Sequence, residues 1–385
     1  MRGRLCVTAP VPAAHGVFAT SIFYNKNLIT KQMGEHLENE REGRTEVSAL
    51  GEFPLIDRLT RAFSPHHACT VKGVGDDCAV LGAGPVKTVV TTDTLVEGIN
   101  FDMMYTPLRH LGYKAVAVSI SNIAAMNASP LQVLVSIAVS NRYSVEALDE
   151  LYRGIYLCCD RYGVDLVGGS TNTTPHGMTI TVTGIGEAHQ DRLSYRSGAG
   201  LHDLICVSGD LGSAYCGQLI LEREGVTYRV NPRYRPDLEG YDYVLERFLK
   251  PEPRMDIVAL LSRKGVVPTS MIDVSDGLAS ELLHLCRDSH RGCEVYEERL
   301  PIDYQTTRVC SEMSSNMLPV SCALNGGLDY ELLFTISPTD YEKLKDSTEV
   351  HIIGHITDEH MPACMVTPQG TTIALRAQGF QSNEE

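Results

Sequence analysis

The sequence predicts two α/β domains in succession, each mixing strands with helices. Apolar or alternating runs of strand length are interleaved with longer stretches of helical periodicity in both halves of the chain. No segment recurs at a fixed spacing, so a repeat architecture is not expected. The 385 residues suffice for two domains of ordinary size. The domains are expected over residues 49–187 and 203–380, joined near 188–202.

The elements follow in order. Glu52 to Phe63 carries a helical stripe of Phe53, Leu55, Ile56, Leu59 and Phe63. Cys78–Leu81 and Thr88–Thr92 are predicted strands. Arg109–Met126 is predicted as an amphipathic helix, with Asn127 as the left-handed residue that ends it. A strand over Val133–Val139 precedes a helix over Val145–Tyr162, for which Ser144 is the expected N-cap. Val164–Val167 and Met178–Ala188 return to strand. In the second half, strand Leu204–Val207, turn Ser208–Gly212 and helix Ala214–Glu222 lead to helices around Tyr241–Leu249 and Arg254–Lys264. Strand Ser270–Val274, helix Leu278–Asp288 and strands Tyr330–Ile336 and Val350–Ile356 complete the reading.

Composition narrows the function. With 43% apolar and 21% charged residues the chain is globular, and its net charge of −15 disfavours nucleic acid. No Lys/Arg cluster with interleaved aromatics occurs, and Trp is absent. No apolar run reaches the ~20 residues that span a membrane. Twelve cysteines lack Cys-x-x-Cys spacing, and several sit in apolar runs, so reduced thiols in a cytoplasmic protein are expected. The first 34 residues carry no acid, and Pro10 and Pro12 interrupt their short apolar stretch. Residues 1–45 are therefore expected to be a disordered or mis-assigned extension, with Met33 as an alternative start.

Four carboxylate-bearing segments each follow or adjoin an apolar run: Gly75-Asp76-Asp77, Thr91-Thr92-Asp93, Asp273-Val274-Ser275-Asp276-Gly277 and Gly326-Gly327-Leu328-Asp329. A buried carboxylate needs a cation, a donor or water. Convergence of these segments would make a site for a hard divalent metal, which takes oxygen ligands and shares them with substrate phosphates. Each also has an ordinary alternative: a turn for Gly75–Asp77, a solvated strand end for Thr91–Asp93, an N-cap for Ser275 or Asp276. Gly168-Gly169-Ser170-Thr171 allows close approach of a ligand or simply a tight turn. Gly82 to Thr88 only faintly resembles a P-loop, since it leads into a strand and lacks the glycine before lysine.

Taken jointly, the motifs resemble the thiamine-monophosphate kinase family, within the superfamily of ATP-dependent enzymes built like aminoimidazole ribonucleotide synthetase. The resemblance covers residues 49 to 380 and rests on Gly51 to Ile56, Gly75 to Ala79, Thr92 to Gly98, Lys114 to Val118, Tyr195 to Ala199 and Ile272 to Leu278. It implies an N-terminal mixed-sheet domain that pairs into a homodimer and a C-terminal α/β domain. It also implies transfer of the ATP γ-phosphate to thiamine monophosphate with Mg²⁺. Metal ligands would be Asp77, Thr91, Thr92, Asp93, Asp273 and Asp276, with Asn122 and Ser170 where the family has acids. Tyr152, Gly169, Ser170, Arg196 and Ser275 would meet ATP, and Asn100, Leu328 and Phe380 thiamine monophosphate. No catalytic base is implied, because positioning and charge neutralisation carry such transfers. Asn122, Ser170 and Leu328 depart from the family pattern. That leaves open a catalytically impaired nucleotide-binding or dimeric interaction protein, or another ATP-dependent enzyme of the superfamily.

Overall fold

The computed structural model describes residues 52–377. Helix α1 spans Glu52–Thr60, and residues Thr60–Gly379 form one compact unit. That unit holds two mixed sheets, one built from each expected half. The first runs β1(Thr70–Lys72)–β2(Ala79–Leu81)–β3(Val86–Val96)–β6(Met178–His189)–β4(Ser129–Val139)–β5(Asp165–Thr173). All its pairings are antiparallel except β4 with β5, which are joined by helix α3 (Val145–Tyr162). Ser144 caps α3 through a hydrogen bond from the Ala147 N–H, as its residue type predicts.

The second sheet runs β13(Thr372–Ala374)–β12(Cys364–Val366)–β9(Gly292–Tyr296)–β11(Val350–Thr357)–β7(Leu204–Ser208)–β10(Leu332–Ile336)–β8(Ser270–Asp273). Around it lie α4 (Ser213–Val230), α5 (Asp242–Leu249), α6 (Met255–Lys264), α7 (Leu278–Ser289), α8 (Tyr304–Met313), α9 (Pro319–Asn325) and α10 (Tyr341–Leu344). Strands β1, β9, β12 and β13 and helices α8 to α10 have no counterpart in the sequence reading. The missed strands run three to five residues, too short to show a period.

Helix α2 (Leu108–Ala125) joins the two sheets, and here the structure corrects the expectation of an amphipathic helix. It lies against β3, β4 and β6 of the first sheet and reaches β8 of the second. Leu111, Val116 and Ile120 enter one core, whereas Ala124 and Ala125 enter a core with Met271, Leu332 and Phe334. A helix with protein on every side has no need of a polar stripe. Its buried Lys114 points to α5, where Nζ donates to the Phe248 carbonyl at 3.1 Å and lies 4.1 Å from that ring's centroid. Burial lowers this ammonium to about 8. Asn127 has φ +54 just beyond the helix, the left-handed turn expected of it.

Two glycines set the crossing of α2 with α3. A Cβ on Gly154 would stand 1.9 Å from the Arg109 carbonyl oxygen, and one on Gly112 2.0 Å from that of Leu151. The paired glycines Gly168 and Gly169 lie inside β5 and make no turn. A Cβ at Gly169 would overlap the Val135 carbonyl of β4, so the ladder itself requires glycine there. Among the described residues no helix is long and apolar enough to cross a membrane. The eleven described cysteines are free, and all but Cys69 are buried.

Because backbone blocks the space, Gly154→Ala is expected to destabilise the unit by about 2 kcal/mol or more through forced separation of the helices. Urea denaturation would measure it, and an unchanged midpoint would show that the crossing yields freely.

Candidate active site

Strand alternation decides which side chains of β3 can share a site. Val89, Thr91 and Leu95 are buried towards α2, with Asp93 half-buried among them, and Thr92 and Thr94 lie on the other face. Near the C-terminal end of α2, Asn122 reaches this face: Nδ2 donates to Thr91 Oγ1 at 3.0 Å and to Asp93 Oδ1 at 2.9 Å. The preceding residue, Ser121, donates its hydroxyl to Asp273 Oδ2 at 2.5 Å. Neighbouring residues of one helix thus hold Asp93 from the first sheet and Asp273 from the second side by side.

The segment before β2 adds a third carboxylate. Asp77 Oδ1 accepts from Arg196 Nη2 at 2.5 Å. Asp76 Oδ1 accepts from the Arg196 backbone N–H at 2.6 Å, and its Oδ2 pairs with Lys72 at 2.9 Å. The Tyr195 carbonyl accepts from the Met271 N–H of β8, which seats this segment beside Asp273. The loop between β8 and α7 brings Asp276, whose N–H donates to Glu281 Oε1 at 2.9 Å.

Electrostatics shows a cluster short of positive charge. Burial, then the charge of Asp77, pushes Asp273 up to about 8 against the Ser121 hydrogen bond and Arg196. Burial holds Asp93 up at about 6 despite the hydrogen bond from Asn122. Asp77 and Asp276 are raised by burial, with Arg196 opposing in both. Glu281 is raised well above the usual range by burial and then by Asp276. Asp77 Oδ2 and Asp93 Oδ2 are buried with no hydrogen-bond partner. A group of carboxylates facing one guanidinium, with unpaired buried oxygens, has the donor set and the charge deficit that a hard divalent cation fits.

Asp77, Thr91, Asp93, Asn122, Arg196, Asp273, Ser275 and Asp276 therefore come together. The other expected residues do not. Thr92 bonds Thr183 across the far face at 3.2 Å. Ser170 lies on edge strand β5, three strand spacings or about 14 Å from β3, and its hydroxyl accepts from Asn172 at 3.4 Å. Tyr152 packs on the α2–α3 core, edge-on to Tyr156. Asn100 folds back on the end of β3, where its Oδ1 accepts from the Val96 N–H. Phe380 lies outside the described residues.

The fourth acidic segment divides. Leu328 N–H donates to the Ser275 carbonyl at 2.8 Å, so this loop lies against the site, but the Leu328 side chain packs with Ala214, Leu221 and Phe248. Asp329 instead caps α4, accepting from Gly212 and Ala214 N–H, with Arg247 at 3.8 Å. Burial pushes it up to about 7. Sequence reading missed Glu281, although an acid in the first turn after Asp276-Gly277 is the pattern of a capping side chain. It gives Ser121 no role, although Ser121 stands beside Asn122 in the helix motif that departs from the family pattern.

Residues 75–188 match the family model described as AIR synthase related protein, N-terminal domain. The thiamine-monophosphate kinase of Bacillus subtilis is 33% identical over 337 residues, 86% of this chain and 99% of the relative. The chain belongs to the thiamine-monophosphate kinase family. Its fold is similar to the thiamine monophosphate kinase structure from Aquifex aeolicus, with TM-score 0.68, 25% identity and coverage of 86% and 99% of the two chains. It is also similar to the complex of AaThiL with AMPPCP and TMP, with TM-score 0.72, 26% identity and coverage of 86% and 97%.

The raised carboxyls give this kinase-family chain a definite pH response. Their folded values lie above the ordinary 3.8, so the folded chain keeps protons that the unfolded chain has lost. Stability they allow at low pH is then lost as pH rises through the folded values. With divalent metal chelated, the melting temperature is expected to fall by several degrees between about pH 5 and 8. Excess Mg²⁺ is expected to flatten that fall. A melting temperature that rises across this range under chelation would contradict the charge deficit.

Asn122→Asp replaces the two amide donors with a carboxylate facing Asp93. The melting temperature under chelation is expected to drop by several degrees, and the Mg²⁺-induced rise to exceed that of the natural chain. Equal responses of the two proteins would show that the hydrogen bond from the Asn122 amide does not support Asp93.

Proposed function

We propose that this chain transfers the γ-phosphoryl group of ATP to the phosphate of thiamine monophosphate, giving thiamine diphosphate. The observation that carries this reading is the buried cluster of Asp77, Asp93 and Asp273, short of positive charge, in a chain of the thiamine-monophosphate kinase family. Mg²⁺ would be held by Asp77, Asp93, Asp273 and Asp276 with Thr91, and would supply the positive charge that neutralises the phosphates during transfer. Arg196, held by Asp77, adds a guanidinium at the rim of the same cluster, suited to a phosphate oxygen.

The residues of the chain act by placement. Asn122 and Ser121 fix the orientation of Asp93 and Asp273. Ser275 begins the loop that leads into α7, whose N-terminal end favours a bound phosphate, and Glu281 ties that loop down through the Asp276 N–H. Gly169, Ser170 and Tyr152 remain candidates for ATP, and Asn100 and Leu328 for thiamine monophosphate. Leu328 presents an apolar side chain where the family has an acid. No side chain is required as a base, because the acceptor is already a phosphate oxygen.

The two domains are residues 49–187 and 203–380 in this reading, and the first pairs with a second copy. The face of the first sheet opposite α2 supports the pairing. It exposes Thr92, Thr94, Val96 and Val167, with the Thr92–Thr183 and Thr94–Thr181 hydroxyl pairs across it. An exposed sheet face of small polar and apolar groups suits a self-complementary contact.

The deciding assay incubates the chain with ATP, Mg²⁺ and thiamine monophosphate and follows thiamine diphosphate by chromatography. Product is expected with the natural chain, and turnover at least about 100-fold lower with Asp93→Asn, which removes a metal-binding charge. The variant should melt no lower than the natural chain under chelation, because the carboxyl it replaces is raised. A folded natural chain that makes no diphosphate at high Mg²⁺ would overturn the reading.

A further inference from the structure

Three cysteines remote in sequence from the acidic cluster turn their sulfurs towards one another. Cys216 lies in the first turn of α4, Cys310 in α8 and Cys322 in α9, and all three are buried. Cys216 Sγ is 3.9 Å from Cys310 Sγ, Cys310 Sγ is 3.6 Å from Cys322 Sγ, and all three lie within 4.8 Å of one another. A tetrahedral ion with metal–sulfur bonds of about 2.3 Å sets its ligand sulfurs about 3.8 Å apart. We propose that Cys216, Cys310 and Cys322 form a binding site for one thiophilic cation of the Zn²⁺ or Cu⁺ class, separate from the phosphate-handling site.

The surroundings select a soft ion over a hard one. Ile220, Val244 and Val309 complete the cluster, and the partly buried Met313 and Met317 pack against it. Thiolate and thioether sulfur favours Zn²⁺ and Cu⁺, whereas Mg²⁺ requires oxygen. The Thr306 carbonyl oxygen, 4.0 Å from Cys216 Sγ, can serve the fourth position. A dication displaces two thiol protons to solvent for a neutral site and a third for a site of charge −1. Simple packing of small hydrophobes would also bury these residues, as it does Cys206 on β7, but it does not require sulfurs from three helices to meet.

Such an ion would staple α4, α8 and α9. The last of these leads directly into Gly326–Leu328, the loop that lies against Ser275. Binding is therefore expected to stabilise the second half of the chain.

The test uses the full chain, reduced, stripped of metal and kept in excess Mg²⁺ so that its carboxylates are occupied. Co²⁺ is expected to bind at one equivalent with sulfur-to-metal charge-transfer absorption in the near ultraviolet, and Zn²⁺ to abolish that absorption by displacement. Cys310→Ala should lose the absorption and Cys206→Ala should keep it; Cys322→Ser serves if Cys310→Ala does not fold. On the natural chain, Zn²⁺ should slow maleimide labelling of Cys216, Cys310 and Cys322 about tenfold or more in mild urea, and slow that of Cys206 on β7 clearly less. Absent absorption, absorption that survives in a folded Cys310→Ala, or labelling indifferent to Zn²⁺ would each overturn the site.

Discussion

Helix α2 has almost no solvent face, and the rest of the unit is arranged around that fact. Fourteen of its residues are buried, some under the first sheet and some against β8 and its neighbours. A helix in that position must satisfy every polar side chain internally, since an unpaired buried group is costly. Lys114 meets Phe248, Ser121 meets Asp273, and Asn122 meets Thr91 and Asp93. Two of the polar residues that the helix must satisfy, Ser121 and Asn122, are thus the ones that bring acids of the cluster together.

The acidic cluster is a case of local instability held by packing. Buried carboxylates raise one another, and Arg196 offsets them only in part. The cost is carried by the surrounding cores, and an incoming cation with bound phosphate would relieve it. That is why the cluster lies where two sheets and a helix meet: a flexible loop could not keep like charges at such separations. The second charged group has the opposite balance. Arg247 and Arg254 both pair with Glu331, and Asp329 accepts N–H groups at the head of α4. Here two guanidiniums face two carboxylates, so the group reads as structure.

Much of the site was legible because the chemistry is carried by short motifs. Asp77, Asp273 and Asp276 are acids at or beside strand ends, Asp93 is an acid inside β3, and Arg196 belongs to a segment shared with the family. What misled was mostly periodicity. Thr91 and Thr92 look equivalent in a row of hydroxyls, yet strand alternation sends one into the cluster and the other to the far face. The glycines 168 and 169 look like a turn, but they lie within β5, and at Gly169 the Val135 backbone approaches too closely for any side chain. Asp329 has the same local look as Asp77 and becomes a helix cap, because α4 starts beside it.

The sequence by itself determined that two α/β halves form, which family the motifs resemble, and which acids are available for metal. It did so because hydrophobic period and short polar motifs are local properties of the chain. Only the tertiary structure decided which of those acids meet. It seated Asp93 and Asp273 on neighbouring residues of α2, diverted Asp329 to α4, left Ser170 about 14 Å away on an edge strand, and gathered three cysteines from three helices. Such meetings depend on strand order and helix crossing, which residues far apart in sequence settle together through burial.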